Sequence, residues 1–153
     1  MLYFCFMENI FTDEYFMRKA LNEAEIAFEK GEIPVGAIIV IDNIIIERSH
    51  NLTELLNDVT AHAEMQTITA AANYLGGKYL IGCTLYVTLE PCQMCAGALY
   101  WSQISTIVFG ASDENRGFEK MGTQLHPKTL VKRGVMATEA ADLMRRFFME
   151  KRK

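Results

Sequence analysis

No stretch of this 153-residue chain approaches the run of about 20 apolar residues that a bilayer-spanning helix requires. The apolar start, Met1 to Met7, is too short to span and lacks a basic leading region and a small-residue cleavage site, so it is not expected to be a secretory signal. Met7 offers a second possible start. Residues 1–11 are expected to form a flexible or partly misassigned tail ahead of one domain that occupies the rest of residues 1–153. Cysteine is sparse: Cys5, Cys83, Cys92 and Cys95 are the only four. Without a secretory signal, the chain is expected in a reducing cytoplasm. There a close cysteine pair binds metal or does redox chemistry more often than it forms a structural disulfide. No internal repeat, low-complexity tract or linker interrupts the sequence, and a composition of 50% hydrophobic and 22% charged residues belongs to an ordinary folded chain.

Cations are scarce over most of the length. Residues 1–115 hold 5 Lys and Arg against 15 Asp and Glu, whereas residues 116–153 hold 10 against 4. A basic quarter on an acidic body is a charge asymmetry of the kind that meets phosphates, although Lys and Arg also collect at helix C-termini for local electrostatic reasons.

The hydrophobic pattern predicts a helix from about Asp13 to Lys30. Thr12 is placed as its N-cap, Gly31 as its stop, and Phe16, Ala20, Ala24 and Phe28 form its buried face. Two β-branched runs, Val35 to Ile41 and Ile44 to Glu47, flank Asp42-Asn43 and predict a hairpin. Both runs are nearly all apolar, so the sheet is expected to be covered on both faces. Further elements are a helix over Thr60 to Tyr74, a strand over Thr84 to Leu89, and a helix opened by Pro91 and running to Trp101. A strand over Ile104 to Phe109, a weaker one over Thr129 to Val135 and a helix over Thr138 to Met149 complete the set. The order α-β-β-α-β-α-β-β-α implies a mixed sheet between helix layers, with Asp113 to Lys128 as the least regular segment.

The chemistry concentrates in four residues. Cys92 and Cys95 are three apart at a predicted helix start, so their thiols share one face of the first turn. A helix N-terminus favours thiolates, and zinc favours thiolate and imidazole ligands. His62 stands near the start of another helix. If the two starts meet, three protein ligands leave the fourth tetrahedral position open, as in catalytic zinc sites. Glu64, two residues from His62, is then placed to take a proton from zinc-activated water and pass it to a substrate. Taken alone, a C-x-x-C pair also suits redox chemistry or half of a structural zinc site, and an H-x-E is commonplace. The combination H-x-E…P-C-x-x-C is the signature of zinc-dependent nucleobase deaminases.

Around that signature stand longer blocks: GEIPVGA ending at Ala37, TAHAE over Thr60 to Glu64, TLYVTLEPCQMCAGA over Thr84 to Ala98, IVFGA over Ile107 to Ala111, and Phe147-Phe148 before a basic end. In this order they resemble the bacterial tRNA adenosine deaminase family, over nearly the whole chain after Asp13. The resemblance implies a cytidine deaminase-like three-layer α/β/α sandwich with a central mixed five-stranded sheet. It also implies one Zn2+ per subunit, a homodimer, a cytoplasmic location and conversion of adenosine to inosine at the wobble position (34) of a tRNA anticodon loop. His62, Cys92 and Cys95 match the family's zinc ligands, and Glu64 its proton shuttle. Asn51 matches its base-contacting asparagine, while Val35, Ala61, Asp113 and Phe148 match positions near the substrate. Phe148 with Arg145, Arg146, Lys151 and Arg152 suits an unstacked RNA loop, whereas at least one of Phe147 and Phe148 is expected to pack in the core. The chain departs from the family in having Leu52 where many members have Arg, Val59 where many have Pro, and a shorter segment over Glu114 to Lys128.

Two other readings stay open at this point. A free-base or nucleoside deaminase, such as a guanine deaminase, shares the zinc site but has no need of the basic, aromatic C-terminus. A non-catalytic zinc scaffold has no need of Glu64.

Overall fold

Thr12 starts the first helix, α1 (Asp13–Glu29), by accepting a hydrogen bond from the Tyr15 amide at 3.1 Å. Asp13 and Glu14 fall in its first turn, where acidic groups complement the helix dipole. Gly31, at φ 76°, turns the chain out of it. These details come from a computed structural model that describes residues 9–152; most of the expected N-terminal tail, with Cys5, Met1 and Met7, lies outside the described residues.

The hairpin follows as β1 (Gly36–Ile41) and β2 (Ile44–His50). Asp42 and Asn43 both take positive φ, 50° and 61°, the turn geometry that matches the twist of paired strands. Next come α2 (Ala63–Leu75), β3 (Thr84–Leu89), α3 (Gln93–Ser102), β4 (Thr106–Ala111), a single helical turn α4 (Phe118–Met121), β5 (Leu130–Lys132) and α5 (Ala137–Lys151).

Four local features differ from the sequence pattern. The helix expected from Thr60 begins at Ala63, with His62 as its N-cap. Pro91 stands just outside α3 rather than in its first turn, because Cys92 is extended (ψ 174°) and its carbonyl accepts the first helical bond from Ala96 at 2.8 Å. The irregular segment after Asp113 contains α4, since Phe118 finds a buried seat edge-on to Phe109 with ring centroids 6.1 Å apart. Burial on both sheet faces holds for β1 but not for β2, an edge strand that leaves Ile44 exposed.

The sheet order is β2-β1-β3-β4-β5, with β1 antiparallel to both neighbours and β3, β4 and β5 parallel. Alternate side chains divide the core, as strand geometry requires. Ile39, Leu85, Val87, Ile107 and Phe109 pack under α2 and α3, while Ile38, Val40, Tyr86 and Val108 pack under α1 and α5. The expected three-layer α/β/α arrangement is therefore the observed one. Gly36 allows α1 to lie close on β1, since a Cβ there would sit 2.0 Å from the Ala20 carbonyl oxygen. The last residues of β3 and β4, Leu89 and Ala111, open onto a cleft beyond the C-terminal ends of the parallel strands.

Candidate active site

His62 and Cys92 are each the N-cap of a helix, α2 and α3. The two helix starts meet, and His62 Nδ1 lies 3.6 Å from Cys92 Sγ and 3.5 Å from Cys95 Sγ. Their ligand atoms all fall within 4.8 Å of one another. Separations near 3.5 Å match the edge of a tetrahedron with metal–ligand bonds of about 2.0–2.3 Å. Two sulfurs and one imidazole are a donor set that fits zinc, with one coordination position left over. Among the described residues no fourth Cys, His or carboxylate joins this group.

The three groups share protons when no metal holds them, so binding a metal would release protons. A hydrogen bond from Cys95, with a further one from His62, holds the Cys92 thiol down to about 4. Cys95, which keeps the shared proton and is buried, is pushed up. The hydrogen bond to Cys92 raises the His62 imidazole, against the opposing effect of burial. Glu64 sits one residue into α2 beside the trio and is only 4% exposed. Burial raises its pKa, the direction a proton carrier near neutral pH needs, with Cys95 and its own amide opposing.

The cleft above has a volume of about 740 Å³ and is lined by His62, Glu64 and Cys92 at its floor. Of the other residues predicted near substrate, Asn51, Val35, Asp113 and Phe148 all line it. Ala61 does not. It is buried behind the wall, where its carbonyl accepts from the Leu52 amide at 3.0 Å and from Gln66 Nε2 at 3.2 Å. Phe148 is 42% exposed at the rim, whereas Phe147 is buried and packs edge-on against Phe28, so one ring of the pair is core and the other is not. The basic side chains of α5 are partly engaged: Arg145 bonds Asp142 at 2.8 Å, Arg146 lies over Phe28 and Lys151 over Phe147.

Two buried carboxylates beside the cleft were not singled out from the sequence. Glu32, 1% exposed, accepts from the Glu54 and Leu55 amides at 2.8 Å each and from Asn51 Nδ2 at 3.5 Å, and so holds the loop that carries Asn51. Glu90, also buried, accepts from the Asp113 and Glu119 amides on the opposite wall. Both stand within quoted blocks, GEIPVGA and TLEPC, flanked by apolar residues and Pro. A carboxylate in such a setting is a signal for a buried acceptor of loop amides.

Residues 11–111 match the family described as the cytidine and deoxycytidylate deaminase zinc-binding region. The tRNA-specific adenosine deaminase of Bacillus subtilis is 44% identical over 149 residues, covering 92% of this chain and 91% of its own. A solved structure from studies of A-to-I editing by tRNA:A34 deaminases at the wobble position aligns with a TM-score of 0.79 and 43% identity, over 84% of this chain and 98% of its own. A guanine deaminase of Bacillus subtilis is more distant, with a TM-score of 0.65 and 36% identity over 74% of this chain and 71% of its own.

Proposed function

The chain belongs to the cytidine and deoxycytidylate deaminase family, and on that premise we propose that it hydrolyses the 6-amino group of adenosine at the wobble position (34) of a tRNA anticodon. Adenosine and water give inosine and ammonia. The observation that carries this reading is the convergence of a three-donor zinc site with a buried carboxylate on the floor of one cleft.

Zinc, held by His62 Nδ1 and the sulfurs of Cys92 and Cys95, supplies when bound the Lewis acidity that makes water a nucleophile at neutral pH. Glu64 takes the proton that water gives up as its oxygen bonds to C6. It delivers that proton to ring N1, then takes the second proton from the new C6 hydroxyl and gives it to the departing amine, so it ends as it began. Asn51 is the base-contacting residue, with its side chain held by Glu32 and Thr53. Val35 supports Asn51 by accepting its backbone N–H at 3.1 Å, and Ala61 acts from behind the wall through Leu52. Asp113 and Phe148 meet the flanking RNA at the rim, where exposed aromatic rings stack on unpaired bases.

A homodimer working in the cytoplasm belongs to the same reading. Trp101 is 78% exposed, and Leu55, Leu56 and Val59 are exposed on the loop before His62, which supports burial against a second copy. Light scattering on the purified protein reads that mass directly. No helix of the described residues is long and apolar enough to cross a membrane.

The deciding experiment incubates zinc-loaded protein with a tRNA carrying adenosine at position 34, and separately with guanine. Inosine at that position, with no ammonia from guanine, is the expected result. Ammonia from guanine and no inosine replaces the tRNA reading with the free-base one.

A further inference from the structure

We infer that Glu90 is a positioning residue for this reaction: its buried carboxylate fixes segment 112–119 at the height above the metal trio where that segment meets the substrate. The substrate half of this inference rests on the proposed tRNA reaction; the structural half does not.

Glu90 is the residue between the end of β3 and Pro91-Cys92, two residues before a thiol of the metal trio. Its two carboxylate oxygens reach different ends of the opposite segment. Oε1 accepts from the Asp113 amide at 3.1 Å and Oε2 from the Glu119 amide at 3.0 Å. Backbone bonds continue the same clasp. The Glu90 amide donates to the Ala111 carbonyl at 2.8 Å, the Phe118 amide donates to the Pro91 carbonyl at 2.9 Å, and Cys92 pairs with Gly117. The segment between these anchors holds Asp113, Glu114, Asn115 and Arg116, all of which line the cleft.

Gly117 makes the fit one that tolerates no side chain. A Cβ at this position would lie 2.3 Å from Glu90 Oε2 and 2.5 Å from the Asp113 carbonyl oxygen. The segment therefore closes directly onto the carboxylate. Both oxygens of Glu90 are committed to amides of the wall, so it acts on substrate through the segment and not by contact. Hydrogen bonds to a carboxylate are stronger than neutral ones, and losing one of these part-buried bonds leaves an amide without its partner. A glutamine keeps the shape but turns one acceptor into an NH2 facing an N–H donor.

The test uses the full-length, zinc-loaded protein and the variants Glu90→Gln and Gly117→Ala, with three measurements. The first is amide exchange by NMR. In the wild type the Asp113 and Glu119 amides are expected to be protected, and both variants are expected to speed their exchange while α3 amides stay protected. The second is zinc content, expected at one per chain in all three proteins. The third is kinetics on tRNA, where KM is expected to rise about tenfold with kcat within about threefold. Rapid exchange at Asp113 and Glu119 in the wild type overturns the inference even if neither variant folds. So does a folded Glu90→Gln with unchanged exchange and KM, and so does loss of zinc. A wild type that exchanges as expected but forms no inosine refutes the proposed reaction and leaves the clasp standing.

Discussion

The floor of the cleft and its rim are built by different means. The floor consists of two helix starts, where His62 and Cys92 are N-caps and Glu64 and Cys95 follow within a turn. Within each helix start the geometry is local; Glu64 and Cys95 are buried and His62 and Cys92 half-buried. The rim is made of one face of α5 and of loops 51–61 and 112–119, which have little periodic structure of their own. It borrows rigidity from buried acceptors, Glu32 on one side and Glu90 on the other. Substitutions on the floor are therefore expected to abolish the reaction, and substitutions on the rim to weaken it by degrees.

That contrast is open to test from the floor outward. Replacing Cys92 by Ala is expected to remove both zinc and measurable deamination, read by metal analysis and inosine formation; full zinc occupancy with activity would show that the trio is not the metal site. Glu64→Ala is expected to lower kcat by about 10² to 10⁴-fold with zinc still bound. Retained turnover removes Glu64 from the mechanism. At the boundary between floor and rim, Asn51→Ala is expected to reduce kcat/KM on tRNA by about 10- to 100-fold through loss of one buried hydrogen-bonding group, with zinc content unchanged.

The paired phenylalanines of α5 sharpen the comparison within one element. Phe147→Ala removes a buried ring and is expected to destabilise the fold by about 3 kcal/mol, seen as a lower Tm. Phe148→Ala is expected to leave Tm nearly unchanged and raise KM for tRNA by about tenfold, the cost of one lost base stack. Equal effects on Tm would place both rings in the core. The smallest effect is expected at the basic end: Arg152→Gln should reduce the salt dependence of tRNA binding by a log–log slope of about 0.7, measured by titration at several ionic strengths.

Much of the architecture was legible because its signals are local. The Thr12 cap, the Asp42-Asn43 turn and the continuous β-branched runs each act within a few residues, and they predicted the helix start, the hairpin and the layered sheet. Where the expectations missed, a distant contact had overridden the local signal. The turn α4 exists because Phe118 packs on Phe109, and the start of α3 shifts because Cys92 is extended to face His62. Ala61, which matches a position near substrate by resemblance, does not line the cleft, and its carbonyl accepts from Leu52 and Gln66.

By itself the sequence determined the chemistry. Soft donors three apart at a helix start lie close because the chain between them is short and begins to wind there, so Cys92 and Cys95 were legible as a pair. Only the tertiary structure decided that His62, 30 residues away, would reach them, that Glu64 would be stripped of water, and that Glu32 and Glu90 would brace opposite walls. Those outcomes depend on how two helix starts and two loops pack at the ends of β3 and β4. Packing is a property of the assembled core, which no window of neighbouring residues encodes.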